Sequence, residues 1–531
     1  MSSTHPRIPL GAALAAMLAL FATARPATAE EQASTSAANA QIAARCEALA
    51  SAELSTVPDA PTRINTAKLV DAAGGMPAYC EVEGYVSPAV GILMRLPVAG
   101  WNGKFLEAGC GGFCGMYNFI FLCNGPLQKG YACITTDMGH KAKEAEGLEW
   151  AYNNPQAVTD FAYRATHVTA LAGKAIAKSY YGRAPDKSYF QGCSCGGRQA
   201  LVEAERFPWD FNGIIVGAPA IRYTEVFVKF AYRARALHDA GGKPLFDAPA
   251  IQLLTKAVIA KCDMNDGVKD GLIGDPRLCK FDPRDYACRS GKTTDCLSHE
   301  QAEAAVSYYG VVKTSSGVRV GELAVQPGSE SSFLGMVDNQ TQKRSFYEDF
   351  FKYMVFVPNP GPTWRFENYD VENDYKRMGM IESLLQADSP DLTRFKEAGG
   401  KMIFYHGWAD GGLSPLTSIE YYKTVERTMG GRAATQDFLR LFLIPDMDHC
   451  MGGRGPWLIS YVDYLDDWVE RGKAPDMLVG RHYTDNPMAA DAAGNGATPL
   501  VRPIFPYPLR AQYSGTGDVN NPASYKAIVQ E

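Results

Sequence analysis

The stretch Ser188–Arg206, SYFQGCSCGGRQALVEAER, constrains this chain more than any other. Its apolar start, Ser188-Tyr-Phe190, reads as a strand and Arg198–Arg206 as a helix, so Gly192-Cys193-Ser194-Cys195-Gly196 must turn one into the other. So sharp a corner leaves no room for side chains beside the turning residue, which accounts for glycine on both sides. The backbone N–H after Ser194 then lies at a helix N-terminus, where partial positive charge collects.

Further runs lack polar alternation: Lys104–Ala108, Tyr131–Thr136, Gly213–Val216, Lys401–Tyr405 and Phe438–Ile444. Such runs suit strands covered on both faces. Asp160–Tyr181 places Phe161, Ala165, Val168, Ala172 and Ile176 on one helical stripe, ended by Gly182. Strands alternating with helices give an α/β fold. From about Ile221 to Ala398 the buried-strand pattern lapses into cysteine-rich and aromatic stretches. The chain therefore reads as a discontinuous core domain, 30–221 and 396–531, with an insertion or lid at 222–395.

Arg7, the apolar run Ile8–Ala22 and the small residues Ala27 and Ala29 read as a secretory signal peptide, residues 1–29. Its apolar run is short of the ~20 residues that span a bilayer, so a secreted or periplasmic protein without membrane insertion is expected. Without Arg7 and Arg25 the balance is 50 basic against 58 acidic residues, a net −8 that speaks against nucleic acid as a partner. All 13 cysteines follow this leader, and in an exported chain they read as disulfides with a thiol left over. A lone C-x-C is a poor zinc signature.

G-x-S-x-G at a strand-to-helix corner makes Ser194 a candidate nucleophile. A serine hydroxyl needs a base oriented by a carboxylate, in the order Ser, Asp or Glu, His. His449 follows the strong late strand through a short loop, and Asp410 follows Lys401–Tyr405 in a glycine-containing loop. Asp446 and Asp448 are alternative acids but stand too close to His449 to reach its Nδ1 without a contorted loop, and His406 reads as a neighbour of the acid. Ser194 and His449 each adjoin a cysteine, so a Cys193–Cys450 bond would join the two loops. Closing a loop of roughly 250 residues constrains the unfolded chain by ~4–5 kcal/mol.

The Cys193-Ser194, Asp410 and His449-Cys450 set resembles the tannase and feruloyl esterase family, which includes hydrolases of mono(2-hydroxyethyl) terephthalate. The segments WNGKFLEAG, GYACITTDMGH, GCSCGGRQALVEAERFPWDFNGIIVGAPA, CDMNDGVKDGLIGDP and HGWAD carry the likeness over most of the chain. The resemblance implies an α/β-hydrolase fold with an inserted lid and a small-molecule aromatic ester as substrate. It also implies an oxyanion hole formed by the N–H groups of Cys195 and Gly111, and a structural calcium site at Asp263, Asp266 and Asp270 with the main-chain oxygens of Val268 and Leu272. That loop fails the EF-hand pattern.

The same resemblance pairs Cys46 with Cys80 and Cys288 with Cys296, and Cys262 with Cys279 brackets the acidic loop. The chain departs from the terephthalate monoester hydrolases in having no cysteine after Cys450 and in having cysteine after Ser194. Bridges Cys110–Cys195 and Cys114–Cys123, with Cys133 free, are expected for the rest. Phe346–Trp364 is a candidate aromatic wall, most of it lid core, and Arg344 or Arg365 is a candidate partner for a substrate carboxylate. The leading expectation is a serine carboxylesterase for hydroxycinnamic or phenolic esters that works through an acyl-enzyme. Galloyl esters, terephthalate monoesters and a non-catalytic carrier of aromatic ligands are the alternatives.

Overall fold

Nine strands form one sheet in the computed structural model, which describes residues 40–143, 147–289, 294–333, 343–482 and 500–530. The expected signal peptide, residues 1–29, lies outside them. The strands are β1 (Thr62–Val70), β2 (Tyr79–Val86), β3 (Val90–Pro97), β4 (Lys104–Ala108), β5 (Ala132–Thr136), β6 (Lys187–Cys193), β7 (Gly213–Gly217), β8 (Lys401–Gly407) and β9 (Leu439–Ile444). Their order is β1-β2-β3-β5-β4-β6-β7-β8-β9. From β5 to β9 every neighbouring pair is parallel, while β1 to β3 form an antiparallel edge joined to β5.

Every residue of β5 and β7 is buried, as expected of strands with helices on both faces. By contrast β1 alternates and is half exposed, which is why a search for unbroken apolar runs passes over the antiparallel edge. Helix α1 (Ala165–Tyr181) follows a π-helical turn at Asp160–Arg164, and its stripe of Phe161, Ala165, Val168, Ala172 and Ile176 is buried. Gly182 closes it in the left-handed conformation, φ 78°. Helix α2 (Cys195–Arg206) begins directly behind β6.

Between β7 and β8, among the described residues, the chain adds no strand to the sheet. It forms helices α3 (Tyr223–Ala236), α4 (Ala248–Cys262), α5 (His299–Tyr309) and α6 (Lys343–Tyr353). Leu237, Phe246, Leu254, Tyr308 and Phe333 give this segment a core of its own. Val226, Phe227, Phe350 and Phe351 instead join the main core with residues of the sheet. Helix α7 (Pro415–Thr428) lies between β8 and β9, and α8 (Tyr461–Arg471) packs against β7 and β8. No helix among the described residues is long and apolar enough to cross a membrane.

Charges are buried where α1, α2 and β4 meet. Glu107, Glu203 and Asp210 are buried; His167 Nδ1 lies 2.5 Å from Asp210 Oδ2, and Lys174 Nζ donates to the Asp210 carbonyl. Among the described residues neither carboxyl oxygen of Glu107 has a hydrogen-bond partner, and Glu203 stands beside the Asp210 carboxylate. Burial first, then the Asp210 charge, pushes Glu107 and Glu203 well above the ordinary carboxylate range against the pull of Lys174. Both acids therefore keep their protons in the folded state at pH values where the unfolded chain has lost them. Stability from these groups is full below about pH 4.3 and falls as pH rises toward their folded values. Thermal unfolding followed from pH 5 to pH 9 should show declining stability, and Glu203→Gln should flatten that decline.

Candidate active site

Ser194 sits between β6 and α2 with φ 63° and ψ −120°, a backbone conformation that costs a non-glycine residue about 1–3 kcal/mol. Its N–H donates to Gly217 O at 3.0 Å, and its carbonyl accepts from Arg198 N at 3.0 Å and Ala220 N at 3.3 Å, which holds the strained corner. A Cβ on Gly192 would stand 2.4 Å from Gly196 O, and one on Gly196 would stand 2.8 Å from Cys110 O. The flanking glycines are thus required by close backbone approach.

Ser194, His449, Cys195 and Gly111 all line one cavity of about 320 Å³. Cys195 is the first residue of α2, so its N–H has no partner within the helix. Tyr223, Val226, Phe227 and Phe230 from α3 form one wall, Phe346 packs on it with its ring centre 5.2 Å from that of Phe227, and Phe119 and Leu413 also line the cavity. Apart from His449, the described lining residues carry no charge, and Asn118 supplies a neutral amide. Phe227 stacks on Phe350 with ring centres 4.4 Å apart, so the wall is backed by further rings.

Asp410, the candidate acid, has 0% of its surface exposed. Its Oδ2 lies 2.7 Å from His449 Nδ1 and 3.1 Å from His406 Nε2, while Oδ1 accepts the N–H groups of Gly412 and Leu413 at 2.9 Å each. Burial alone would raise its pKa. The His449 charge and the hydrogen bonds from His406 and His449 overcome that and hold Asp410 well below the usual carboxylate range. For His449 burial lowers and the Asp410 charge and hydrogen bond raise, with a net rise. The His449 side chain is 36% exposed, so solvent screens part of this effect. Asp446 pairs with Arg454 and Asp448 accepts from Ser331, which takes both alternative acids away from His449.

The insertion also grips the acid loop. Arg233 Nη1 donates to Gly411 O at 2.8 Å and Gly412 O at 2.6 Å, and Tyr308 Oη donates to Gly411 O at 2.8 Å. Nothing in the sequence singles out these two residues. The α3 wall was legible in principle, since 223, 226, 227 and 230 share helical spacing. Of the aromatic run, Phe346 lines the cavity, whereas Phe350, Phe351 and Phe356 are buried in the core. Arg365 is spent on the carbonyls of Pro362 and Trp364, and the Arg344 side chain lies outside the described residues.

Six disulfides form: Cys46–Cys80, Cys110–Cys114, Cys123–Cys133, Cys193–Cys450, Cys262–Cys279 and Cys288–Cys296. The expected bridges Cys110–Cys195 and Cys114–Cys123, with Cys133 free, are not what the fold makes. The turn 110–114 brings its own two cysteines together, with Cα atoms 5.5 Å apart. Strand β5 then carries Cys133 to within a Cα separation of 5.6 Å from Cys123. Cys195 remains a buried thiol, 3.9 Å from Cys114 Sγ, and burial pushes it up despite the nearby Arg198.

In the acidic loop Asp263 Oδ1 accepts from Asp270 N and Gly271 N, Asp266 Oδ1 from Val268 N, and Asp270 Oδ1 from Leu272 N, all at 3.0 Å. Asp270 Oδ2 pairs with Arg502 at 2.5 Å, while the second oxygens of Asp263 and Asp266 accept no hydrogen bond among the described residues. Burial, with the charges of Asp270 and Asp263, pushes Asp266 up to about 6 against the pull of the Val268 N–H and Arg502. Carboxylate and carbonyl oxygens are the donors that a hard divalent cation such as Ca²⁺ takes.

A mostly parallel sheet, a serine on its strand-to-helix corner and a histidine–aspartate pair on the following loops define an α/β-hydrolase. The model of the family described as tannase and feruloyl esterase matches residues 75–528. The mono(2-hydroxyethyl) terephthalate hydrolase of Piscinibacter sakaiensis is 31% identical over 91% of this chain and 91% of its own. A probable feruloyl esterase B-2 of Aspergillus terreus is 30% identical over 81% of each chain. The crystal structure of feruloyl esterase B from Aspergillus oryzae superposes with a TM-score of 0.80 at 26% identity, covering 92% of this chain and all of that one. This chain belongs to the tannase and feruloyl esterase family and is a carboxylic ester hydrolase.

Two outcomes follow from the sulfur pairing. Denatured, unreduced protein should titrate one thiol, and the native protein none until it unfolds. Replacing Cys193 and Cys450 together by alanine should lower stability by about 5.5 kcal/mol, the chain-entropy value for a separation of 257 residues, measured by denaturant unfolding.

Proposed function

We propose that the protein is a serine esterase for uncharged aromatic acyl groups of the hydroxycinnamoyl type, with Ser194 as nucleophile, His449 as general base and Asp410 as its orienting acid. Ser194 Oγ attacks the ester carbonyl while His449 Nε2 takes its proton, and His449 then returns the proton to the leaving alcohol. Water, activated by the same imidazole, cleaves the acyl-enzyme. The N–H groups of Cys195 and Gly111 receive the oxyanion, each contributing about 3 kcal/mol to the transition state.

The apolar cavity carries this reading of the substrate. A terephthalate monoester would bring a carboxylate against aromatic walls with no cation among the described lining residues, and an unpaired buried charge is strongly disfavoured. A galloyl ring would bring three hydroxyls to a lining that offers the Asn118 amide, since Tyr223 Oη already donates to Gly112 O. A ring with one hydroxyl and one methoxyl suits that balance better. Under the same reading the 222–395 segment is the lid, Ca²⁺ held by Asp263, Asp266 and Asp270 with the carbonyls of Val268 and Leu272 stiffens its acidic loop, and six disulfides accord with an oxidising, exported location.

A panel of methyl ferulate, methyl gallate and mono(2-hydroxyethyl) terephthalate should give the highest kcat/KM for ferulate; a higher value for the terephthalate monoester would overturn the substrate reading. Ser194→Ala should abolish the burst from a p-nitrophenyl ester. A neutral His449 is required for attack and its pKa is raised, so the acid limb of kcat/KM should have its midpoint above about pH 6.5. Asp410→Asn should lower kcat by a factor on the order of 10³–10⁴. Prolonged chelation should lower the thermal midpoint, Ca²⁺ should restore it, and Asp266→Asn should remove the response.

A further inference from the structure

The imidazole of His406 is fully buried at the end of β8, four residues before the acid, and its surroundings go beyond core filling. Nε2 faces two acceptors, Asp410 Oδ2 at 3.1 Å and the Leu413 carbonyl at 3.3 Å. An ionised carboxylate and a carbonyl cannot donate, so the proton has to be on Nε2. On the far side Nδ1 lies 2.7 Å from Ser418 Oγ on α7. In neutral His406 the Ser418 hydroxyl donates to Nδ1, which fixes the tautomer and the ring plane together.

Asp410 Oδ2 is thereby shared between two imidazoles, while its Oδ1 is held by two backbone N–H groups. Three of the four contacts come from β8 and its own loop and do not move with His449. They hold the carboxylate in one plane, aimed at His449 Nδ1, while that ring gains and loses its proton. We infer that His406, anchored by Ser418, is a positioning residue for the reaction: it keeps Asp410 aimed and tempers how strongly Asp410 attracts the His449 proton. This rests on the serine-esterase reading, in which Asp410 serves His449.

His406→Leu should lower kcat about 10- to 100-fold at nearly constant KM, because the ring does not line the cavity and a hydrogen bond to a charged group carries that much. With a competing donor gone, Oδ2 binds the His449 proton more tightly, so the acid limb of kcat/KM should move to higher pH. His406→Gln, whose amide can donate from near the Nε2 position, should recover most of kcat and return the limb toward its original place. Ser418→Ala, a smaller change to the same arm, should reproduce the kcat loss and limb shift in milder form. In an Asp410→Asn background His406→Leu should cost little further, since the acid it serves is gone.

The inference is overturned if His406→Leu and Ser418→Ala leave both kcat and the limb unchanged. It is equally overturned if leucine and glutamine lower kcat alike with the limb fixed, or if the effects of His406→Leu and Asp410→Asn multiply in full. Should His406→Leu fail to fold, His406→Gln and Ser418→Ala decide by the same readouts. Ser194→Ala stands apart as a control: activity surviving it would sink the serine mechanism itself.

Discussion

A covalent bond between Cys193 and Cys450 joins two loops that are 257 residues apart in the chain. One end precedes the strained Ser194 corner and the other follows His449. An esterase of this kind needs its hydroxyl and imidazole held to within a fraction of an ångström. In most folds that precision rests on packing alone, whereas here sulfur fixes the separation of the adjoining backbones. The strain at Ser194 persists because its neighbours determine it, with β7 accepting its N–H and α2 starting on its carbonyl.

The acid is held by different means. Asp410 has no covalent tie to Ser194 or His449, and the position of its fully buried side chain comes from hydrogen-bond donors on both oxygens. Burial of a carboxylate would ordinarily raise its pKa. Donors on both oxygens and the imidazole opposite reverse that, so that the charge is present where His449 needs it. Arg233 and Tyr308 extend the support into the insertion, so the helices between β7 and β8 form part of the acid's scaffold as well as a wall of the cavity. Val226, Phe227, Phe350 and Phe351 of the inserted segment also share the main core with the sheet.

The sheet strands on both sides of Ser194, the helix stripe at Phe161–Ile176 and the loops bearing Asp410 and His449 were legible because each is a local pattern. An apolar run, a 3.6-residue period or a short loop after a strand is written in consecutive residues. The antiparallel edge was less legible, because half-exposed strands such as β1 mix polar and apolar residues. The cysteines show the limit most clearly. Cys193–Cys450 followed from the chemistry of its neighbours, yet several pairings of Cys110, Cys114, Cys123, Cys133 and Cys195 are compatible with the order of residues, and the fold divides these five between two core clusters.

By itself the sequence determined the α/β class, the serine corner, the order of the candidate catalytic residues and the acidic loop, since each depends on residue types at short spacing. Tertiary structure decided which sulfurs meet, which aromatic residues line the cavity and which bury in the core, and that His406, Arg233 and Tyr308 converge on Asp410 and its loop. Those outcomes depend on distances between segments tens to hundreds of residues apart, and such distances exist only once the sheet and the inserted helices have packed together.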